Sequence, residues 1–134
     1  MSHYAKPLHV MPATAGEALA AYRLVIVGTS DDAVIYPTAI RDTQIVGITL
    51  AAAAINEPVD VVTHGYALLK VDGNTANIAF GDAIMVHNST GYGQKVASSG
   101  AGLVECIGFA MEASTADDDI ISVRIAPHLE YFAS

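Results

Sequence analysis

Leu19-Ala-Ala-Tyr-Arg-Leu-Val-Ile-Val27, followed by Val46-Gly-Ile-Thr-Leu50 and Val59-Asp-Val-Val62, is answered later in the chain. The later stretches are Ile78-Ala-Phe-Gly-Asp-Ala-Ile-Met-Val86, Ile107-Gly-Phe-Ala-Met111 and Ile120-Ile-Ser-Val123. Val27 and Val86 stand 59 residues apart, whereas Gly47/Gly108 and Val62/Val123 stand 61 apart, so two residues of loop separate the registers. A block that occurs twice implies two similar β units fused in one chain. Such units bury their apolar faces on each other and form one compact domain.

Outward from that block the pattern is β. Strands are expected over 22–28, 33–40, 44–51, 58–64, 66–71, 82–88, 93–98, 103–113 and 119–126, separated by turn clusters such as Asp72-Gly-Asn74 and Asp117-Asp-Asp119. Ile121, Val123 and Ile125 alternate with Ser122 and Arg124, as in a strand with one wet face. Short strands with frequent turns predict an all-β fold, a compact small β-barrel or sandwich spanning residues 17–126. Residues 1–16 hold Pro7, Pro12 and Gly16 without a sustained period and read as an extended N-terminal arm. Thr14-x-x-Glu17 has the form of a capping box, and Gly16 inside it leaves that segment ambiguous. Residues 127–134 form an aromatic tail, whose Leu129, Tyr131 and Phe132 are expected to dock on this subunit or on a neighbour.

Composition narrows the function. Fourteen acidic against six basic residues give a net charge of -8. Without clustered Lys or Arg this excludes phosphate-backbone recognition and attraction to anionic membranes. Charged residues are only 15% of a chain that is 52% hydrophobic, a surface suited to oligomer contacts. The start lacks the apolar stretch of a signal peptide, and the longest apolar run, Ile45 to Ile55, is too short to span a bilayer. A soluble protein made in a cytoplasm is expected.

The search for chemistry returns little. His3, His9, His64, His87 and His128 show no metal-ligand spacing, and His64 and His87 read as strand-end rings in water. Cys106 lies in an apolar run and reads as a buried, inert thiol. Gly91-Tyr-Gly-Gln-Lys95 lacks the Gly-Lys-Ser/Thr ending of a phosphate loop and reads as a hairpin turn. Ser98, Ser99 and Ser114 have no nucleophile-elbow context. No catalytic residue, cofactor or metal is expected.

Several stretches together resemble one known family. They are Ala15-Gly-Glu-Ala-Leu19 leading into Leu24-Val-Ile-Val27, Ile45-Val-Gly-Ile-Thr-Leu50, and Pro58-Val-Asp-Val-Val-Thr-His-Gly65. To these are added Ile78 to Val86, Ile107-Gly-Phe-Ala-Met111 and Ile121-Ser-Val-Arg-Ile125. Over residues 15–126 the chain resembles the small decoration, or cement, proteins of tailed-phage capsids. That resemblance implies a non-enzymatic β domain on the outside of the virion head, bound to the major capsid protein and commonly trimeric. The extended start and the aromatic tail depart from the family pattern. The expected capsid or subunit contacts are Tyr4, Pro7, Leu8, Val10, Met11 and Pro12 of the arm, with Leu129, Tyr131 and Phe132 of the tail. Two other classes compete: a glycan- or small-molecule-binding β-barrel using the six tyrosines, and a trimeric β-fold hydrolase with an intersubunit site.

Overall fold

The computed structural model describes residues 5–38, 43–87, 89–96 and 102–132. These form nine strands and no helix: β1 (Lys6–Ala15), β2 (Leu24–Val27), β3 (Ala33–Ile35), β4 (Ile45–Thr49), β5 (Pro58–Val71), β6 (Ala83–Val86), β7 (Gly93–Lys95), β8 (Gly102–Ala110) and β9 (Asp119–Phe132). All nine belong to one sheet, ordered β1-β3-β2-β4-β5-β7-β6-β8-β9, with further pairings β1–β5 and β5–β9. Those two extra ladders close the sheet into two rings of five strands, and β5 belongs to both.

The rings are copies of each other. β1–β3 and β5–β7 are parallel, while β2–β3/β6–β7, β2–β4/β6–β8, β4–β5/β8–β9 and β1–β5/β5–β9 are antiparallel. The equivalence holds residue by residue. Val25 lies opposite Gly47 as Ile84 lies opposite Gly108, and a register shift follows at Val25/Ile26 and at Ile84/Met85. The isolated bridges Leu19–Ala53 and Ile78–Ser114 occupy matching places. At the last strand the sequence alignment is off by one: Thr49 pairs with Val61 where Ala110 pairs with Val123, so Val61, not Val62, is the counterpart of Val123.

β5 serves as the last strand of ring one and the first strand of ring two. Its Pro58–Tyr66 portion pairs with β1 and its Gly65–Val71 portion with β9. Gly65, expected to separate two strands, instead kinks one strand. Its φ is 97°, and a Cβ there would lie 2.5 Å from the Lys6 carbonyl oxygen. The repeated apolar-Gly-apolar block also has a steric cause. A Cβ on Gly47 would lie 2.3 Å from the Val62 carbonyl oxygen, and one on Gly108 would lie 1.9 Å from that of Arg124. Only glycine lets the fourth strand of each ring approach the fifth so closely.

Ala13, Ala15, Leu19, Val25, Val34, Val59 and Val61 cluster within ring one. Six of their counterparts, Leu69, Val71, Ile78, Ile84, Ile121 and Val123, lie in a larger cluster that also takes in Leu24, Ile48 and Val62 of ring one. The two rings therefore share buried apolar surface at their joint and form one body.

The N-terminal segment differs from expectation. From Lys6 to Thr14 it is hydrogen-bonded along β5, so it is extended but is a strand of the sheet. The capping box does not form: Glu17 Oε2 accepts the Tyr36 N–H, and Leu19 bridges Ala53. Pro7 and Pro12 fit in β1 because edge strands tolerate proline.

Candidate functional site

Two ribbons of the sheet carry large exposed apolar side chains. The first is the start of β1 against the middle of β5, with Lys6 opposite Tyr66 and Val10 opposite Val62. The second is β8 against the end of β9, with Leu103 opposite Tyr131 and Glu105 opposite Leu129. At Gly65 and Tyr66, β5 is flanked by β1 and β9 together.

The expected contact residues fall mainly on these ribbons. Pro7, Leu8, Val10 and Pro12 are exposed, and Leu8 reaches 69%. Met11 does not belong with them, because its side chain packs against the ring-one cluster. Leu129 and Tyr131 are 63% and 70% exposed, so the tail is not docked on its own subunit. It forms the second half of β9. Phe132 ends that strand, with only its backbone described, and Tyr4 lies outside the described residues. Leu103, 67% exposed and directly across from Tyr131, completes this apolar face and was not singled out from sequence. Its signal was available only in retrospect: an isolated leucine after Gly102 becomes part of the face once the hairpin register is known.

The other face of the second ribbon is covered. Val104 and Cys106 are buried with Met85. His128 stacks on Phe109 at 4.7 Å and pairs with Glu130 at 2.9 Å. Burial, with the charges of Glu130 and Glu105, pushes the Cys106 thiol up to about 12. That thiol is inert at neutral pH.

One polar network is buried. Asp72, buried after β5, accepts the Asn74 N–H, the Thr75 N–H and the Thr75 hydroxyl. Its carboxylate lies 3.2 Å from His87 Nε2, and His87 Nδ1 lies 2.7 Å from Gln94 Oε1. Burial by itself would raise the Asp72 pKa. The Thr75 and Asn74 hydrogen bonds and the facing His87 outweigh it, so the carboxyl sits below its ordinary value. His87 is thus part of a network, not the wetted strand end expected. The Thr75 hydroxyl bonds the carboxylate and not the imidazole, so the nucleophile–base–acid order of a triad is not formed.

The second network joins the rings. Asp118 accepts the Tyr92 hydroxyl and pairs with Lys70 at 3.2 Å, while the Arg23 guanidinium covers the Tyr92 ring at 4.9 Å. The bonds from Tyr92 and Lys70 hold the Asp118 carboxyl below its ordinary value, and the bond to Asp118 raises the Tyr92 phenol. Among the described residues the tyrosines do not converge on a sugar-sized platform. Tyr36 packs on ring one with its hydroxyl accepting the Ala20 N–H, Tyr92 sits at the joint and Tyr131 lies on the second ribbon. Among the described residues no group of three or more His, Cys, Asp or Glu could hold a metal ion.

One backbone feature stands apart. Tyr22 is held at φ 63°, where its ring-two counterpart is Gly81 at φ 91°. A tyrosine there costs about 1–2 kcal/mol relative to an unstrained backbone.

The N base of head fiber gp8.5 of bacteriophage phi29 superposes with a TM-score of 0.60 at 15% identity, covering 88% of this chain and 93% of that chain. This shows a shared fold. No curated protein sequence matches the chain. The phage cement protein family model matches residues 5–125, a span that takes in both rings and the shared strand. The chain belongs to the phage cement protein family.

Proposed function

We propose that this protein is a non-enzymatic structural component of a phage virion. It binds the outside of the assembled head, bridges neighbouring capsid subunits as a trimer, and resists the pressure of packaged DNA. The carrying observation is the family match over residues 5–125, and the head-fiber fold is consistent with it. The physical argument is linkage: a protein that binds the assembled lattice and not free subunits stabilises the lattice by the free energy of that binding. Several joined footprints strengthen the hold, because later contacts become intramolecular. The rings supply a rigid body, and the two ribbons supply exposed apolar side chains at which contact with the major capsid protein or another copy buries surface.

Incubation with purified heads lacking the protein tests this reading. Co-sedimentation with assembled heads but not with free capsid protein is expected, together with a higher temperature of DNA release. Heads that bind no more of it than of an unrelated acidic protein would contradict the reading.

A further inference from the structure

His128 sits where β9 has the least support. From Val123 to Ile125 the strand is paired on both edges, with β5 and with β8, whereas beyond Ile125 it pairs with β8 alone. A register shift in β8 falls at the same level, between Cys106 and Gly108, and Pro127 brings no N–H to the ladder. The ribbon that presents Leu103, Leu129 and Tyr131 to solvent starts at this point.

The His128 ring bridges it. Nδ1 lies 2.7 Å from the Ala126 carbonyl oxygen and Nε2 lies 2.9 Å from Glu130 Oε2, so one side chain ties the residues before and after it. A carbonyl and a carboxylate only accept hydrogen bonds. Neutral imidazole donates from one nitrogen and carries a lone pair on the other, and here that lone pair would face an oxygen. The ring protonated on both nitrogens satisfies both contacts. His87 is under no such demand, because its Nδ1 faces Gln94, whose amide has both an oxygen and an N–H to offer.

The surroundings favour the cation on balance. The His128 ring stacks on Phe109 with 4.7 Å between centroids and 10° between planes, and an aromatic face attracts positive charge. The other ionisable groups on this part of the two strands are Glu130, Tyr131 and Arg124 of β9 with Glu105 and Cys106 of β8. Glu130 pairs with the ring directly, Glu105 holds the Gln44 and Ile45 N–H groups, and Tyr131 is exposed. The Cys106 thiol stays neutral. Arg124 is the opposing charge, its guanidinium 5.1 Å from the Phe109 ring. β6 packs on the same face through Met85 and Ala83 and brings no charge.

We infer that His128 is doubly protonated in the folded chain and is a pH-sensitive pin that holds the β8/β9 ribbon in place. The pin is present while the ring keeps both protons and Glu130 its charge. It is lost as pH rises and the ring gives one proton up, and again in acid, below about pH 4, where carboxylates are protonated. It works in the free chain, whether or not the ribbon touches a head.

Nitrogen NMR of the histidine rings in the full chain at pH 7 is the direct test. His128 should carry protons on both nitrogens, and a single-proton tautomer would overturn the inference. Hydrogen exchange, expressed as protection relative to the intrinsic rate at each pH, reads the consequence. Protection of residues 128–132 should fall about three- to ten-fold from pH 6.5 to pH 9 with β5 unchanged. The effect is modest because the two side chains are 25% and 38% exposed and solvent screens them. His128→Gln should show equal protection at both pH values. Protection that stays constant in the wild type, or falls equally in His128→Gln, would overturn the pin. Should His128→Gln lose the wild-type β-sheet circular dichroism, Glu130→Gln replaces it. That variant keeps an acceptor but no charge, so its loss of protection should come at lower pH, and a loss at the wild-type pH would count against the pin.

Discussion

Ring one and ring two follow the same ladder with different side chains, and the differences compensate locally. Ala13 and Val34 of ring one correspond to Leu69 and Gly93 of ring two. In ring two a Cβ on Gly93 would lie 2.7 Å from Leu69 Cδ2, so the large residue has moved from one strand to its neighbour. Ring one fills another position with Ile35 over Gly16, where a Cβ would lie 2.7 Å from Ile35 Cγ2. Ring two places Asp72 and Gln94 there and closes the space with hydrogen bonds through His87. The backbone pairing tolerates either solution provided that volume is filled and polar groups are satisfied. The lesson is that the ladder specifies the fold, and the side chains need only agree within each ring.

The equivalent glycines test that lesson most severely. Gly108→Ala should destabilise the protein by about 3 kcal/mol or more, and Gly47→Ala by somewhat less, because each new methyl meets strand backbone and not a flexible side chain. Urea denaturation should show one transition shifted in both variants, since β5 links the rings. Two separated transitions would break the comparison. Next in size, Leu69→Ala should cost about 2–5 kcal/mol by leaving a cavity above Gly93. Adding Gly93→Val should return part of that loss, since the pair then copies Ala13 and Val34 of ring one.

Acid should separate the rings chemically. The folded-state pKa of Asp72 is depressed, so its stabilising contribution is fully present above the unfolded value of about 4 and is lost as pH falls through the lower folded value. Asp72→Asn should therefore flatten the acid side of the stability curve at these pH values, and Gly16 gives ring one no matching carboxylate there. An unchanged slope in thermal melts from neutral pH to about pH 3 would contradict this assignment. The smallest effect is expected at Gly81. Gly81→Ala introduces the left-handed strain that Tyr22 already bears, for about 1 kcal/mol, with nothing within 4 Å of the new methyl.

Much of this comparison was legible in the sequence. The duplicated block located β2, β4, β6 and β8, and its recurrent glycines lie at the close crossings. What the sequence concealed was longer in range. Gly65 looks like a break, because its local φ preference does not reveal that the strands on both sides continue as one. The one-residue slip at Val61 is invisible among consecutive valines. Asp72, His87 and Gln94 come from three separate segments that only ring closure brings together. The exposed face formed by Leu103 and Tyr131 likewise depends on hairpin register, which neither apolar stretch reveals alone.

Hydrogen exchange, compared between the free protein and the protein bound to heads, tests most directly whether rigid rings carry contacting ribbons. Added protection is expected in residues 6–10 and 128–132, with the amides of β5 and the ring interiors slow and unchanged. Protection gained only at the turns of the rings, with both ribbons exchanging as in the free chain, would contradict it.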